Sequence, residues 1–207
     1  MMFQENDPIG PALVSMQHRS IGRSMYLGIP AIKCPADAWT YRELIYDRHT
    51  SAVVELGVRC GGHLLSIAHF LDAMKSDAAV IGVDVDLSLV HPSVVDHPRV
   101  RLFELGAVEA FPIVSAMCVE GAMVIEDSSH TYDNTLAVLR AYKSIIPVGG
   151  YFIVEDTICH HPLNVGPLPG PYEAVETFLQ EEGDFERDAV VEPEITWNPG
   201  GYLRRKR

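Results

Sequence analysis

The sequence has 207 residues, of which 47% are hydrophobic, so the chain is long enough to bury the core of one domain. Its 28 acidic residues outnumber the 16 basic ones and give a formal net charge of −12. Nucleic acid and anionic lipid both bind to basic surfaces, so we expect neither as a partner. The basic cluster at 204–207 is too short and too close to the terminus to change that expectation.

Cysteine usage and hydropathy indicate the compartment. The four cysteines form no CxxC pair, which is typical of free thiols in a reducing environment rather than of disulfides or a zinc site. The first ten residues are polar and lack the apolar run of a signal peptide. No segment approaches the roughly 18 apolar residues of a membrane span. The sequence therefore predicts a soluble, cytoplasmic protein.

The first 48 residues differ in pattern from the rest of the chain. Residues 1–24 have weak periodicity and are interpreted as an arm or a short helix, whereas 37–48 are predicted to form an amphipathic helix. The predicted apolar side of that helix comprises Trp39, Leu44 and Ile45. We predict that 1–48 form an N-terminal arm with a lid or oligomerisation helix, and that 49–207 form the main domain.

A regular alternation of strands and helices begins near residue 51. Short apolar runs separated by helix-length segments predict βαβ units in a doubly wound, mostly parallel sheet. These runs are 52–56, 79–84, 99–103, 122–125 and 151–154. After a predicted helix at 172–182, two more strands at 185–191 and 201–205 share a tight connection, which predicts one antiparallel edge strand. The fold class is therefore α/β, with seven strands in the sheet.

A glycine-rich turn follows the first of these runs, at Glu55-Leu-Gly57-Val-Arg-Cys-Gly61-Gly62. Glycines let a ligand approach the backbone, and the N-terminus of the next helix offers free N–H groups. Any tight turn between a strand and a helix also uses glycine, so this motif alone does not establish a ligand site. Its spacing matches neither the GxGxxG fingerprint nor the phosphate loop ending in GK[ST]. We select Glu55, Gly57, Gly61 and Gly62 as candidate cofactor-binding residues.

Asp84 ends the second strand, 27 residues after Gly57. A carboxylate at that place can accept hydrogen bonds from both ribose hydroxyls of an adenosine ligand. Asp86 competes for the role, and a solvated acid at the strand end is the alternative. Because the glycine-rich turn precedes it, we favour Asp84 as a cofactor-binding residue.

Acidic residues follow two strands that we expect to be neighbours, in Glu126-Asp127-Ser-Ser-His130 and Glu155-Asp156. Strand ends at the same edge of a sheet should bring Asp127, Glu155 and Asp156 together, and carboxylates repel one another unless a cation lies among them. Oxygen ligands favour a hard ion such as Mg²⁺. His130 is close enough in sequence to act as a general base. The alternative is that the two aspartates are ordinary N-caps and that the histidine is a surface residue.

The loop at 158–171 is rich in proline and glycine and contains His160 and His161. A histidine pair can bind metal, but a solvated loop is the more common case, and we leave both as candidate substrate contacts. The loop and the N-terminal segment are expected to form the acceptor pocket.

Taken in order, these motifs resemble the cephalosporin hydroxylase-like family, which includes metal-dependent O-methyltransferases acting on the sugars of macrolides and related natural products. The resemblance covers nearly all of the chain after residue 25. Its motifs are Tyr26-Leu-Gly28, Lys33-Cys-Pro35, Asp37, Glu55–Gly62, Gly82-Val-Asp84, Asp127/His130, Gly149-Gly150-Tyr151, Glu155-Asp156, Gly170-Pro171, Phe178-Leu179 and Asn198-Pro-Gly-Gly-Tyr-Leu203.

The resemblance implies a class I methyltransferase fold in which S-adenosylmethionine lies over the first three strand ends and also meets Asp127. It implies that Asp127, Glu155 and Asp156 bind Mg²⁺ or a similar divalent cation and that His130 is the base. The implied reaction is O-methylation of a hydroxyl on a small natural-product or sugar-type acceptor.

Two segments depart from the family pattern. His63 replaces the usual serine after the paired glycines, and Glu104-Leu-Gly106-Ala replaces a Gly-Asp-Ser-like segment, which leaves the adenine contacts unassigned. Two alternatives stay open: a metal-dependent hydroxylase or hydrolase on the same fold, and a non-catalytic cofactor-binding protein that serves a partner. The sequence shows no 2-His-1-carboxylate arrangement for iron chemistry. The acceptor and the oligomeric state also stay open, although 1–48 offer a surface for association between copies.

Overall fold

The structure, a computed structural model, describes residues 9–48 and 50–207. Its α-helices are α1 (Ile9–Arg23), α2 (Pro35–Arg48), α3 (Gly62–Ala73), α4 (Pro92–Val95), α5 (Ala107–Met117), α6 (Tyr132–Tyr142) and α7 (Pro171–Glu181). Its strands are β1 (Met25–Tyr26), β2 (Ile29–Pro30), β3 (Ala52–Leu56), β4 (Ala79–Asp84), β5 (Val100–Glu104), β6 (Met123–Glu126), β7 (Tyr151–Val154), β8 (Phe185–Arg187) and β9 (Tyr202–Arg205).

Strands β3 to β9 form one seven-stranded sheet in the order β5-β4-β3-β6-β7-β9-β8. Neighbouring strands from β5 to β7 are parallel, whereas β9 is antiparallel to both β7 and β8. The predicted fold class is therefore confirmed. The antiparallel strand lies second from the edge, because β8 pairs with its outer side, and β8 is shorter than the predicted 185–191.

Helices cover both faces of this sheet, because side chains along each strand alternate between two cores. Val54 of β3 packs in a cluster with side chains of α5, α6 and α7. Its neighbour Val53 points to the opposite face and packs with side chains of α2 and α3. This doubly wound arrangement leaves the carboxyl ends of β3, β4, β6 and β7 at one edge of the sheet.

Helix α2 packs against the second core through Leu44 and Ile45, as predicted. Trp39 was expected on the same side but is 66% exposed, with its indole N–H donating to Glu43. The physical reason is helical geometry: five residues correspond to about 500° of rotation, which places Trp39 roughly 140° away from Leu44.

Residues 1–24 were interpreted as an arm or a short helix, and the structure has the helix α1 within them; residues 1–8 lie outside the described residues. The division of the chain at residue 48 stays a prediction. Among the described residues, no helix combines the length and the apolar character that crossing a bilayer requires.

Candidate active site

A cavity of about 620 Å³ opens at the carboxyl ends of the parallel strands. Ligands of open α/β sheets bind at this edge, and cavities of this size hold small molecules. Glu55 of β3, Asp84 of β4 and Asp127 after β6 all line it, and Gln17 and Ile21 of α1 cover one side. The register explains the convergence, since Leu56 pairs with both Val83 and Glu126, so that β3, β4 and β6 end level with one another.

The glycine-rich turn approaches its neighbours closely. Gly57 lines the cavity and has φ +95°, and a side chain there would overlap the carbonyl of Asp127. Gly61 and Gly62 do not line the cavity, and their predicted binding role stays a prediction. A Cβ on Gly61 would meet Val94, and one on Gly62 would meet the backbone of β2. These two glycines are required for close packing, and α3 begins after Gly61 without a side-chain cap.

Asp84 fixes the shape of this turn. Its Oδ2 accepts hydrogen bonds from the backbone N–H groups of Val58 and Arg59, both at 2.8 Å, and its Oδ1 accepts from Asp86 N–H. Asp86 also lines the cavity, but it is exposed, and its carboxylate accepts from Ser88 N–H. Asp84 is therefore the acid held at the cavity by the turn, whereas Asp86 lies at the rim.

At the other end of the cavity, Asp127, His130 and Asp156 form a cluster whose ligand atoms all lie within 4.8 Å of one another. His130 Nε2 is 3.3 Å from Asp156 Oδ2 and 3.6 Å from Asp127 Oδ1. His130 and Asp156 both have φ +55°, an uncommon conformation that surrounding contacts must hold. For Asp156, one such contact is the hydrogen bond from its N–H to Asn198 Oδ1. Two carboxylates and one imidazole can bind a divalent cation.

Glu155 was predicted to be a metal ligand, and that role stays a prediction; its side chain lies beside the cluster of Asp127, His130 and Asp156. Its side chain is buried, and its Oε1 lies 2.9 Å from Lys33 Nζ and 3.1 Å from the hydroxyl of Tyr41, which donates to it. Burial, together with the charge of Asp127, raises the pKa of Glu155 well above its ordinary value. Successive side chains leaving a strand point in opposite directions, so that Asp156 faces the cavity and Glu155 faces the interior.

Lys33 is the residue that sequence reasoning missed most plainly. Its side chain is 2% exposed, and its ammonium contacts Glu55 at 3.2 Å, Glu155 at 2.9 Å and Asp127. Burial opposes its charge, but the three carboxylates raise the pKa of Lys33 well above the ordinary value. Its motif belongs to the family pattern, yet nothing local in the sequence indicates that a lysine 22 residues before Glu55 reaches that carboxylate.

Tyr41 and Asn198 were also missed. Asn198 Nδ2 donates to the Tyr41 hydroxyl at 2.6 Å, while its Oδ1 accepts from Asp156 N–H. The buried side-chain amide of Asn198 therefore connects Tyr41, whose hydroxyl donates to Glu155, with the backbone of Asp156. Asn198 lies in the Asn-Pro-Gly-Gly motif, which was the available signal for it.

His63 replaces the family serine and is buried against Glu55. Its Nδ1 lies 2.7 Å from Glu55 Oε1, and its Nε2 has no hydrogen-bond partner among the residues that the structure describes. Burial lowers the pKa of His63, which favours a neutral ring whose Nδ1–H donates to the carboxylate. His63 therefore orients Glu55 by a hydrogen bond and does not itself line the cavity.

The remaining predicted residues lie around the cluster. Glu126 points away from the cavity, and burial raises its pKa to about 8; it accepts hydrogen bonds from Ser128 and Asn134 and so anchors the loop that carries Asp127.

His161 stacks on Tyr172, with ring centroids 3.8 Å apart, and neither it nor His160 belongs to the described metal cluster. The segment Glu104-Leu-Gly106-Ala, which differs from the family pattern, contributes Leu105, Gly106 and Ala107 to the lining of the cavity.

A seven-stranded sheet in the order β5-β4-β3-β6-β7-β9-β8, with β9 antiparallel and the cavity at the carboxyl ends, is the architecture of the class I, S-adenosylmethionine-dependent methyltransferases. Within that class, residues 19–206 match the model of the rhamnosyl O-methyltransferase/CmcI family, so the chain belongs to this family. The predicted resemblance is thereby confirmed.

Curated relatives and solved structures agree with this assignment. A rhamnosyl O-methyltransferase of Mycobacterium bovis (strain BCG / Pasteur 1173P2) is 29% identical over 192 residues, which cover 88% of this chain and 78% of the relative. The structure named "cmcI-D160 Mg-SAM" has a TM-score of 0.69 at 23% identity and covers 88% of this chain and 76% of that one. The apo structure of CalS11, described as a TDP-rhamnose 3′-O-methyltransferase in calicheamicin biosynthesis, has a TM-score of 0.58 at 16% identity, with coverages of 98% and 96%.

Proposed function

We propose that this protein transfers the methyl group of S-adenosylmethionine to a hydroxyl of a sugar-bearing acceptor, and that Mg²⁺ assists the transfer. One observation carries the proposal: a single cavity has the glycine-rich turn with Asp84 at one end and the cluster of Asp127, His130 and Asp156 at the other. Family membership supports the same reaction. The finer assignment to sugars rests on the names of the rhamnosyl relatives.

The charges of the site fit both groups. Glu55, Asp127, Glu155 and Asp156 lie in one array with the ammonium of Lys33, so the formal charge of the array is −3 when all are ionised. S-adenosylmethionine is a monocation overall, and Mg²⁺ adds two positive charges, which together balance this charge. Asp127 and Asp156 offer the carboxylate oxygens that a hard cation prefers.

Methyl transfer is a displacement in which a C–O bond forms as the S–CH₃ bond breaks, leaving a neutral thioether on the donor. The protein must hold the acceptor oxygen in line and remove its proton. Since oxygen suits the cation better than nitrogen does, we assign His130 Nε2 to accept that proton, with Asp127 and Asp156 oriented beside it. When bound, Mg²⁺ would lower the pKa of the hydroxyl.

We place the acceptor on the side of the cavity formed by the loop at 158–171 and the N-terminal segment. An apolar cluster joins these parts and contains Cys34, Ile158, Leu163 and Trp197, with Leu13 against it. Trp197 lines the cavity, which gives the acceptor an apolar wall. Because Gln17 and Ile21 cover the same cavity, we assign a lid function to α1.

The proposal is tested by following S-adenosylhomocysteine formation with TDP-rhamnose and aryl rhamnosides as acceptors. Turnover should disappear in EDTA and return with added Mg²⁺, and Asp156→Asn should raise the Mg²⁺ concentration needed for half-maximal rate. Full activity in exhaustively chelated enzyme would remove the metal from the proposal. Calorimetric binding of S-adenosylmethionine tests the cofactor site independently of the acceptor. Oxidised product formed with Fe²⁺ and no methyl donor would point instead to a hydroxylase.

A further inference from the structure

Gln17 is a buried polar side chain that faces the cavity without a partner. It lies on α1, is only 8% exposed and forms part of the cavity lining. Within the part of the chain that the structure describes, its amide makes no hydrogen bond. Burial of an unpaired amide lowers stability, and most buried polar groups are therefore hydrogen-bonded. An unpaired amide that faces a ligand cavity indicates a ligand group as its partner.

Helical spacing places Gln17 next to the apolar wall that we assign to the acceptor. Leu13 lies four residues earlier, on the same face of α1, and packs against the cluster that contains Trp197. Trp197 and Gln17 both line the cavity. Four residues of α-helix advance about 6 Å, so Gln17 lies roughly one turn beyond this wall. The amide is therefore placed on the side of the acceptor.

The chemistry of the amide fits neighbouring hydroxyl groups. A glutamine side chain has a carbonyl oxygen that accepts hydrogen bonds and an NH₂ group that donates two. Adjacent hydroxyls of a sugar can donate to the first and accept from the second. The described lining of the cavity favours such neutral groups over a phosphate or a carboxylate, because its acidic side chains outnumber its basic ones. These are Glu55, Asp84, Asp86, Asp127 and Asp156 against Lys33 and Arg59.

We infer that Gln17 is a specificity-determining residue that binds hydroxyls of the acceptor beside the one that is methylated, an assignment that rests on the proposed function. Held by this amide, the sugar ring presents one hydroxyl to His130 and to the methyl donor. Loss of the amide should reduce discrimination between acceptors. It should not destabilise the protein without ligand, because an apolar side chain of the same shape removes the cost of the unpaired amide.

The experiment compares Gln17→Met with the matched control Gln180→Met. Methionine keeps the length and helix propensity of glutamine but removes its hydrogen-bonding amide. Gln180 is an exposed residue of α7 outside the cavity. The acceptors are nitrophenyl rhamnoside and analogues that each lack one ring hydroxyl other than the methylated one.

For the wild type and for Gln180→Met, loss of a hydroxyl that Gln17 binds should lower kcat/KM by about fivefold or more. For Gln17→Met, kcat/KM with the intact acceptor should fall by a similar factor, and removal of the same hydroxyl should have little further effect. An equal response of Gln17→Met and the wild type to every analogue would overturn the inference.

Two further measurements separate this role from a structural role and from a contact with the donor. The thermal midpoint of ligand-free Gln17→Met should equal or exceed that of the wild type. Its affinity for S-adenosylmethionine, measured by calorimetry without acceptor, should be unchanged. A lower midpoint or weaker donor binding in Gln17→Met would contradict the assignment to the acceptor.

Binding of nitrophenyl rhamnoside is followed separately by saturation-transfer NMR, with S-adenosylhomocysteine present. This readout does not depend on methyl transfer. If the wild type binds the rhamnoside without methylating it and Gln17→Met does not bind it, the proposed function fails while Gln17 is retained as the contact to the sugar. A wild type that binds no rhamnoside overturns the inference.

Discussion

The two ends of the cavity are built in different ways. The cofactor end is formed mainly by backbone: Gly57 adopts a positive φ beside the Asp127 carbonyl, and Asp84 accepts two amides of the same turn. The cation end is formed by side chains that come from distant parts of the chain, among them Lys33 and Asn198. The first kind of construction leaves a local signature in the sequence, whereas the second depends on contacts that only the fold creates.

The difference also affects tolerance to substitution. A backbone-built turn fails when any side chain occupies the space that glycine leaves free. In a network of side chains, a substitution removes mainly the function of the residue that is replaced, because each member makes only a few contacts. Three substitutions test this contrast.

The largest effect is expected for Gly57→Ala at the cofactor end. The new methyl group would overlap the carbonyl of Asp127 in a backbone conformation that alanine already disfavours. Overpacking and the positive φ together should lower the free energy of unfolding by about 2–5 kcal/mol. Urea denaturation measures this loss, and calorimetry should show that cofactor binding is lost with it.

Gly149→Ala is the matched control, because Gly149 also has a positive φ but has open space around its Cβ position. Gly149→Ala should lower the free energy of unfolding only by the cost of the positive φ, about 1–2 kcal/mol. Equal stability of the two variants would show that the close approach at Gly57 is not a constraint.

At the cation end, His130→Ala should leave the fold and cofactor affinity nearly intact while kcat falls by about 10²–10⁴. The reason is that the imidazole is proposed to accept the proton and lies beside Asp127 and Asp156. Single-turnover rates and the thermal midpoint are measured on the same sample. His91→Ala removes an imidazole outside the cavity and serves as the control. A well-folded His130→Ala enzyme with near-normal methyl transfer would exclude the base role.

The smallest effect is expected for Asp84→Ala. Removing the carboxylate deletes the proposed ribose partner and the acceptor of the Val58 and Arg59 amides, which should weaken S-adenosylmethionine binding by about 1–3 kcal/mol. Asp86→Ala should change affinity much less, since its carboxylate accepts from Ser88 at the exposed rim. Calorimetry that finds the larger loss in Asp86→Ala would transfer the ribose role to that residue.

The same contrast explains which features could be predicted from sequence. The strands, the glycine-rich turn and the position of Asp84 follow local rules of periodicity and turn chemistry, and the structure has them where they were expected, except that β8 ends at Arg187. The metal-binding role of Glu155 stays a prediction; the sequence did not indicate how its side chain is placed, because the backbone of Asp156 has a positive φ and is supported by Asn198 from a distant segment. Lys33 could not be assigned because its partners lie 22, 94 and 122 residues further along the chain.

The contact between Gly57 and the Asp127 carbonyl has a consequence for how this enzyme could diversify. Because the two backbones touch there, the donor and the cation end cannot move apart or tilt without a rearrangement of the sheet itself. With the donor and the cation placed as proposed, the distance over which the methyl group travels is therefore a fixed property of the scaffold. New acceptor ranges would have to arise by exchange of segments that do not share this contact, such as the loop at 158–171 or α1. Library construction aimed at new glycosides should vary those segments and leave the glycine-rich turn unchanged.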